Sequence, residues 1–197
     1  MLAWSLLAFD DAESIEAIVV AAPPGDEEKV SELAAEAEVE VAVVPGAEFR
    51  SQSVANALDE VQDDVAVVHD AARPLVSPAL IEEIVGRLAR DPDAMGVVAA
   101  APVSDTIKEA SVSRRVLRTP DRSRLWAAQT PQAFRTGALR DALAAGGEEL
   151  AKATDDAMLV ERMGGEVLIH NSPADNLKVT TPLDLKIAEM VLAERRG

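Results

Sequence analysis

One short apolar run that ends in a sudden switch to polar residues constrains the fold more than any other feature. Residues 65–68, VAVV, are apolar without interruption, and residues 69–74, HDAARP, follow at once. Such a run is typical of a strand buried on both faces of a parallel sheet. Ligands of open α/β sheets bind beyond the carboxyl ends of the strands, so Asp70 is positioned to hold a metal ion and Arg73 an anion. An ordinary loop ion pair between Asp70 and Arg73 is the alternative.

Other apolar runs alternate with amphipathic segments along the chain. Strands are predicted at residues 16–22, 39–44, 65–68, 95–103 and 167–169, and helices at residues 2–9, 26–38, 77–90, 136–145, 154–163 and from 182 onward. This alternation predicts an α/β fold with a mostly parallel, doubly wound sheet flanked by helices. Residues 130–134, TPQAF, are interpreted as a turn back to the body of the sheet. The length suits one domain over residues 1–197.

An arm at about residues 104–128 breaks this alternation. Its segments TIKEA, RRVLRT and RLWAA are short, mixed and basic, which predicts an antiparallel excursion from the sheet. An arm that exposes Leu125 and Trp126 cannot bury itself, and exposed apolar patches usually mark a partner surface. We therefore expect a homodimer.

The charge of the chain excludes several classes of partner. A formal net charge of -16 opposes general affinity for nucleic acid or anionic membranes. Residues 1–14 show neither a signal peptide nor a membrane helix. The absence of cysteine excludes disulfides and thiol chemistry, and predicts a cytoplasmic protein. Basic residues concentrate between Lys108 and Arg124, which is where we expect anion contacts.

Three further segments carry polar residues at helix starts. Residues 46–54, GAEFRSQSV, are interpreted as a strand-to-helix loop in which glycine permits close backbone approach and Ser51 or Ser53 caps the helix. Such a turn can cradle a ligand, and a plain capped helix start is the alternative. Residues 154–156, TDD, predict a second capped helix with acids that complement its dipole. Lys178 precedes the last capped helix and is well placed to meet a phosphate.

Six motifs, taken in order, resemble the 2-C-methyl-D-erythritol 4-phosphate cytidylyltransferases of the non-mevalonate isoprenoid pathway. They are G-x-x-x-R-x-x-S-V at residues 46–54, HDAARP at 69–74, DTIK at 105–108, DRSRLWAAQTPQ at 121–132, TDDA at 154–157 and NLKVTTPLDL at 176–185. The resemblance covers essentially the whole chain, although HDAARP is shared with related sugar-alcohol-phosphate cytidylyltransferases. It implies a Rossmann-like nucleotidyltransferase fold, a homodimer built with the arm, and transfer of CMP from CTP to methylerythritol phosphate with release of pyrophosphate. Alternatives are a ribitol-5-phosphate cytidylyltransferase and a catalytically inactive dimerising or regulatory relative.

The resemblance also implies roles for individual residues. Asp70 matches the family aspartate that binds Mg²⁺ near the methylerythritol hydroxyls, and Lys178 matches the lysine that meets the substrate phosphate and stabilises charge on the triphosphate. The residues that match the CTP site are Gly46, Ala47, Glu48, Ser53 and Ala71, with Ala47 replacing the usual second glycine. The residues that match the methylerythritol phosphate site are Asp70, Ala71, Thr106, Arg122, Thr154 and Lys178. Arg122 and Thr154 match residues that reach across the dimer. We expect His69 to be a structural hydrogen bonder, because a substrate phosphate that attacks in line needs no general base.

One part of the family pattern has no counterpart in these residues. The family begins with a strand and a glycine-rich loop whose arginine and lysine wrap the CTP triphosphate. We expect that roughly 30 residues, the size of a minimal βαβ unit, are absent, and that Met1 is an internal methionine. The loss of a central strand would leave unpaired edges inside the sheet and a poorly stable or aggregation-prone chain.

Overall fold

The computed structural model describes residues 1–144, Leu150 and residues 153–196. The strands are β1 (Ala17–Ala22), β2 (Glu40–Pro45), β3 (Val65–Val68), β4 (Ala94–Pro102), β5 (Glu109–Ala110), β6 (Val116–Arg118), β7 (Trp126–Arg135) and β8 (Glu166–Asn171). The α-helices are α1 (Leu2–Asp10), α2 (Glu27–Ala34), α3 (Arg50–Leu58), α4 (Pro78–Arg90), α5 (Thr136–Leu143), α6 (Asp156–Arg162) and α7 (Pro182–Arg196). The alternation predicted from the sequence is therefore confirmed, while the end of the helix predicted at residues 136–145 lies outside the described residues.

The central sheet is mixed and has the strand order β3-β7-β4-β8. Strand β4 runs parallel to β8, and β7 runs antiparallel to both β3 and β4. Residues 130–134 lie inside β7, where Gln132 pairs with Val68 on one side and Val98 on the other. The interpretation of these residues as a turn is wrong. Pro131 suggested a break because proline cannot donate to a ladder, and the strand accommodates it beside a register shift in the pairing with β4.

Helices cover both faces of this sheet. On one face, α4 packs Leu80, Ile84 and Leu88 against Val97 and Ala133. On the other face, side chains of α3, α5 and α6 surround Phe134, and the members of this cluster include Leu58, Leu139, Leu143, Leu159 and Val160. A sheet buried on both faces explains the apolar runs of β3 and β4, which follow the pattern expected of an α/β protein.

A cavity separates the central sheet from a second, two-stranded parallel sheet made of β1 and β2. Among the described residues β1 pairs only with β2, and β3 pairs only with β7. The free edges of β1 and β3 both line a cavity of about 690 Å³, together with Leu6 and Phe9 of α1. The sequence analysis expects unpaired strand edges inside the fold. That a further strand pairs with these edges stays a prediction.

The arm projects from the central sheet as a small antiparallel hairpin of β5 and β6. Its apolar side chains Val112, Val116 and Leu117 are exposed, as is Trp126 at the start of β7, while Leu125 is partly buried. The antiparallel excursion predicted from the sequence is confirmed. In the part of the chain that the structure describes, no helix has the length and apolarity needed to cross a membrane.

Candidate active site

Asp70 lies just past the carboxyl end of β3 and pairs with two cations from distant parts of the chain. Its Oδ1 accepts a hydrogen bond from Nε of Arg50 at 2.9 Å, and its Oδ2 accepts one from Nζ of Lys178 at 2.7 Å. Arg50 is the first residue of α3, and Lys178 precedes α7. The structure thus joins two predicted site residues, Asp70 and Lys178, and adds Arg50, to which the sequence analysis assigned no role.

The two cations keep Asp70 ionised. Burial alone would raise the pKa of this carboxyl, but the hydrogen bond from Lys178 and the charge of Arg50 outweigh burial, so the pKa of Asp70 is lowered. A carboxylate that stays charged at the end of a strand is suited to hold a cation, and the flanking basic groups are suited to hold phosphate oxygens.

Two backbone contacts fix the position of Lys178 beside Asp70. The buried Arg73 donates from Nη1 to the carbonyl oxygen of Asn176 at 2.8 Å, and the amide of Val179 donates to the carbonyl oxygen of Ala72 at 2.7 Å. Arg73 therefore links two segments internally, which corrects the expectation that it holds an anion. The alternative of an ion pair with Asp70 is also wrong within the described residues, since the partners of Asp70 there are Arg50 and Lys178.

His69 forms a chain of hydrogen bonds that orients the backbone at Asp70. The amide of Asp70 donates to Oγ1 of Thr130 at 3.0 Å, so the hydroxyl proton of Thr130 is free to donate to Nδ1 of His69, 3.1 Å away. This assigns the ring proton to Nε2, which lies 3.1 Å from the carbonyl oxygen of Arg73. Burial lowers the pKa of His69 to about 4. The neutral ring acts as the structural hydrogen bonder expected from the sequence.

Replacing His69 with glutamine should change how stability depends on pH. The unfolded chain binds this proton below about pH 6.5, whereas folded His69 binds it only near pH 4, so the wild type loses stability as the pH falls between these values. Glutamine keeps a side-chain donor for the carbonyl oxygen of Arg73 and does not titrate. We expect the free energy of unfolding to fall by about 2 kcal/mol more in the wild type than in His69→Gln between pH 7.5 and pH 5. Urea titrations at each pH measure the free energy of unfolding of the two proteins. The same pH dependence in both would contradict the lowered pKa of His69.

The loop after β2 is folded tightly against the end of β1. The amide of Gly46 donates to the carbonyl oxygen of Ala22 at 2.7 Å, and the amide of Ala47 donates to Oγ of Ser53 at 2.9 Å. Ser53 thus shapes the loop from within. Neighbouring Glu48 is exposed.

The prediction that Ser51 or Ser53 caps α3 is wrong. Phe49 is the N-cap residue and makes no side-chain cap bond. The Ser51 hydroxyl lies inside the first turn and donates to the buried carbonyl of Leu150 at 2.8 Å. Both serine hydroxyls are therefore engaged in holding the loop and helix in place.

Gly46→Ala should destabilise this loop. A Cβ atom at Gly46 would lie 2.8 Å from the carbonyl oxygen of Ala22 and 3.3 Å from Oγ of Ser53, and the backbone carbonyl cannot move without disturbing β1. We expect a loss of roughly 1–3 kcal/mol in urea unfolding. The control Gly86→Ala, in α4, meets only Arg90 Nη1 at 3.6 Å and should be neutral or stabilising. Equal stability of the two variants would contradict the close approach.

The remaining predicted substrate residues are exposed and spread over two regions. Thr106 and Arg122 lie in the arm, where Nη1 of Arg122 donates to the carbonyl oxygen of Ser104 at 2.7 Å. Thr154 is exposed just before α6, and Asp155, not Thr154, caps that helix through a bond from the amide of Met158. Within the described chain, no hydrogen bond or ion pair connects these three residues to Asp70.

Asp156 is the second site residue to which sequence reasoning gave no role of its own. Its fully buried side chain accepts a hydrogen bond from Nη1 of Arg50 at 2.7 Å. The sequence analysis read it as an acid that complements the dipole of α6. Its burial could not be seen from the helix start alone, although TDDA was among the quoted motifs.

Comparisons with known proteins find one family along nearly the whole chain. The profile of the family IspD, 2-C-methyl-D-erythritol 4-phosphate cytidylyltransferase, matches residues 1–194. The protein of that name from Rubrobacter xylanophilus is 44% identical over 201 residues, which cover 98% of this chain and 84% of the relative. The one from Synechococcus elongatus is 40% identical over 200 residues, which cover 100% of this chain and 85% of the relative.

Solved structures carry the same fold. The crystal structure of 2-C-methyl-D-erythritol 4-phosphate cytidylyltransferase from Thermus thermophilus has a TM-score of 0.80 at 32% identity, with 98% of this chain and 88% of that chain covered. The 4-diphosphocytidyl-2C-methyl-D-erythritol synthase of Anaerococcus prevotii has a TM-score of 0.88 at 25% identity, with the same coverage. From the full-length match and these identities, the chain belongs to the 2-C-methyl-D-erythritol 4-phosphate cytidylyltransferase family.

Proposed function

We propose that this chain transfers CMP from CTP to 2-C-methyl-D-erythritol 4-phosphate, with release of pyrophosphate, in the synthesis of isoprenoid precursors. The observation that carries the proposal is the cluster of Asp70, Arg50 and Lys178 at the end of β3, in a chain whose full length matches this family. The cytoplasmic location expected from the composition belongs to the same proposal.

In the proposed reaction, an oxygen of the substrate phosphate attacks the α-phosphorus of CTP. The new bond joins these two phosphates, and the bond from the α-phosphorus to the bridging oxygen breaks, so that pyrophosphate leaves with the electron pair. The attacking oxygen is already ionised, and no proton has to be removed from it. Catalysis then depends on positioning and on stabilising negative charge. Neutral His69, bonded within the fold, is not needed as a base.

Asp70 is the residue that fits Mg²⁺. Among the described residues no group of three or more His, Cys, Asp or Glu side chains is arranged to hold a metal ion. Mg²⁺ at nucleotide sites is commonly held by one or two carboxylates together with phosphates and water, so one ionised carboxylate fits this requirement. When bound, Mg²⁺ would neutralise phosphate charge and orient the triphosphate.

The basic residues around Asp70 serve the phosphates. Lys178 is 44% exposed on its side chain and carries a compact charge on a flexible stem, so it is suited to follow a phosphate oxygen. Arg50 is 34% exposed and, although paired with Asp70 and Asp156, adds a second positive charge beside the proposed phosphate site. Ala71 follows Asp70 in the turn and offers its backbone to nucleotide or substrate.

The loop over residues 46–53 is the proposed cytidine site. Gly46 permits the close approach to β1, and Ser53 holds the amide of Ala47, so the loop has a defined shape before a ligand arrives. Glu48 and the backbone of the loop are the groups left to read the base. A preformed loop lowers the entropy cost of binding a nucleoside.

A homodimer through the arm completes the proposed methylerythritol phosphate site. The arm exposes apolar side chains and carries Thr106 and Arg122 on its surface. Among the described residues of its own chain, the guanidinium of Arg122 donates a hydrogen bond to one backbone carbonyl, that of Ser104. In the proposed dimer, Arg122 and Thr154 hold methylerythritol phosphate in the site of the other chain, where Lys178 meets the phosphate and Asp70 lies near the hydroxyls.

The experiment that tests the proposed function is a pyrophosphate-release assay with CTP and two competing acceptors, methylerythritol phosphate and ribitol 5-phosphate. We expect release with methylerythritol phosphate and CTP, and little with ATP in place of CTP. A preference for ribitol 5-phosphate would make the chain the related polyol-phosphate enzyme. A folded dimer with no turnover would favour an inactive, interacting relative.

Mixing two inactive variants should restore activity if the arm supplies Arg122 across the dimer. Arg122→Ala and Asp70→Asn each spoil both sites of their own homodimer, but a mixed dimer keeps one intact site. With random pairing, half of the dimers are mixed and each has one of two sites, so about a quarter of wild-type activity should return. The control is a mixture of Asp70→Asn and Lys178→Ala. The same chain supplies both residues to a site, so each site of this mixed dimer lacks one of them and no activity should return. The same low activity from both mixtures would count against a shared site.

A further inference from the structure

We propose that Asp156 is a positioning residue, which fixes Arg50 on one oxygen of Asp70 and leaves the other oxygen to an exchangeable partner. The inference rests on the proposed function, because it concerns how Asp70 becomes available to a metal-nucleotide. It assigns Asp156 no direct contact with substrate.

Arg50 is held at both ends of its guanidinium by carboxylates from different elements. Its Nη1 donates to Oδ2 of Asp156 at 2.7 Å, and its Nε donates to Oδ1 of Asp70 at 2.9 Å. Asp156 is the first residue of α6 and its side chain is 0% exposed, so it cannot follow a moving partner. Two charge-assisted bonds in fixed directions lock the plane of the guanidinium.

Lys178 is bound much more loosely to the other oxygen of Asp70. Its single ion pair within the described part of the chain is the one from Nζ to Oδ2 of Asp70 at 2.7 Å, and its side chain is 44% exposed. The ammonium can leave for a phosphate while Arg50 stays paired with the carboxylate of Asp70. The fixed partner on Oδ1 and the mobile partner on Oδ2 together make Oδ2 the side of Asp70 that is open to an incoming cation.

Asp156 also balances the charge of the cluster. Asp70 and Asp156 supply two negative charges, and Arg50 and Lys178 supply two positive ones. Without Asp156, the whole charge of Arg50 would act on Asp70 and oppose a metal ion there. Mutating residues that orient a metal ligand without contacting the metal commonly changes metal affinity by about 10- to 100-fold.

The packing of Asp156 gives no reason of its own for a carboxylate at this position. Its Oδ1 is buried without a hydrogen-bond partner among the described residues. Burial raises the pKa of Asp156, and the charge of Arg50 opposes that rise. A buried carboxylate with one unsatisfied oxygen costs stability. If Asp156 were neutral, Arg50 would still be paired with Asp70 and partly exposed to solvent. A role in the site accounts for the residue better than a role in folding.

The variant Asp156→Asn tests the proposal through metal binding, without turnover. Mn²⁺ titrations followed by electron paramagnetic resonance, in the presence of CTP, should show about 10- to 100-fold weaker binding than in the wild type. The melting temperature should be unchanged or higher. The matched control is Asp155→Asn, which removes the neighbouring negative charge while its amide oxygen can still cap α6, so the melting temperature and the Mn²⁺ affinity should both stay near the wild-type values. Wild-type Mn²⁺ affinity in Asp156→Asn would overturn the proposal.

A double-mutant cycle with Arg50→Met separates positioning from a general structural effect. If Asp156 acts through Arg50, then Asp156→Asn should have no further effect on Mn²⁺ affinity in the Arg50→Met background. Additive losses would overturn the proposal, and if Arg50→Met does not fold, Asp156→Asn and its control decide alone. Absence of turnover in the wild type would count against the proposed function, while the Mn²⁺ titrations would still decide the role of Asp156.

Discussion

Asp70→Asn should lower kcat/KM by roughly 100- to 1,000-fold, the range typical for removing one preorganised electrostatic group from a site. Asparagine has the same shape and can still accept the bond from Nε of Arg50. It loses the negative charge, and in that orientation it presents its NH₂ group, a donor, to the ammonium of Lys178. The capacity of this strand end to hold a cation is lost with the charge, while the fold around it is kept.

The loss in Asp70→Asn should appear in the chemistry and in cation binding, not in folding. Steady-state pyrophosphate release gives kcat/KM, and Mn²⁺ titration gives the affinity for the cation. The control Asp141→Asn changes an exposed aspartate of α5 and should leave both quantities unchanged. If Asp70→Asn kept more than about a tenth of wild-type kcat/KM, the carboxylate would not be the main electrostatic group of the site.

The strand end that carries Asp70 could be predicted from the sequence because its signal is local. An uninterrupted apolar run reports burial on both faces, and the polar residues that follow report where the strand leaves the core. The start of α4 is equally local, since Ser77 accepts a bond from the amide of Leu80 as a serine before proline predicts. Strand β7 was hidden because Pro131 and the adjacent register shift interrupt the pattern that pairing would otherwise produce.

The partners of Asp70 could not be predicted from local signals, because they depend on tertiary hydrogen bonds. Lys178 is 108 positions away in sequence, and the bonds from Arg73 and Val179 place it. The resemblance pointed to Lys178, but no pattern in the sequence shows that Arg73 turns inward. The pairing of Arg50 with Asp156 likewise joins two helix starts that only the folded chain brings together.

Lys178→Ala should separate cation binding from turnover. We expect kcat/KM to fall by about 100-fold, because the charge that would stabilise the phosphates is removed. The affinity for Mn²⁺ without nucleotide should rise, because Oδ2 of Asp70 loses the ammonium that competes with the cation at 2.7 Å. The control Lys186→Ala, on the exposed surface of α7, should change neither value.

Opposite changes in these two measurements would be hard to explain by misfolding, which would lower both. They would mean that Lys178 pairs with Oδ2 of Asp70 in the free protein, where it competes with a cation, and stabilises phosphate charge during the reaction. The double variant Asp70→Asn/Lys178→Ala extends the test: if the two residues act as a unit, its kcat/KM should lie close to that of Asp70→Asn alone. Losses that multiply would show that Lys178 contributes independently of the ion pair, and weaker Mn²⁺ binding in Lys178→Ala would contradict the exchange of partners at Asp70.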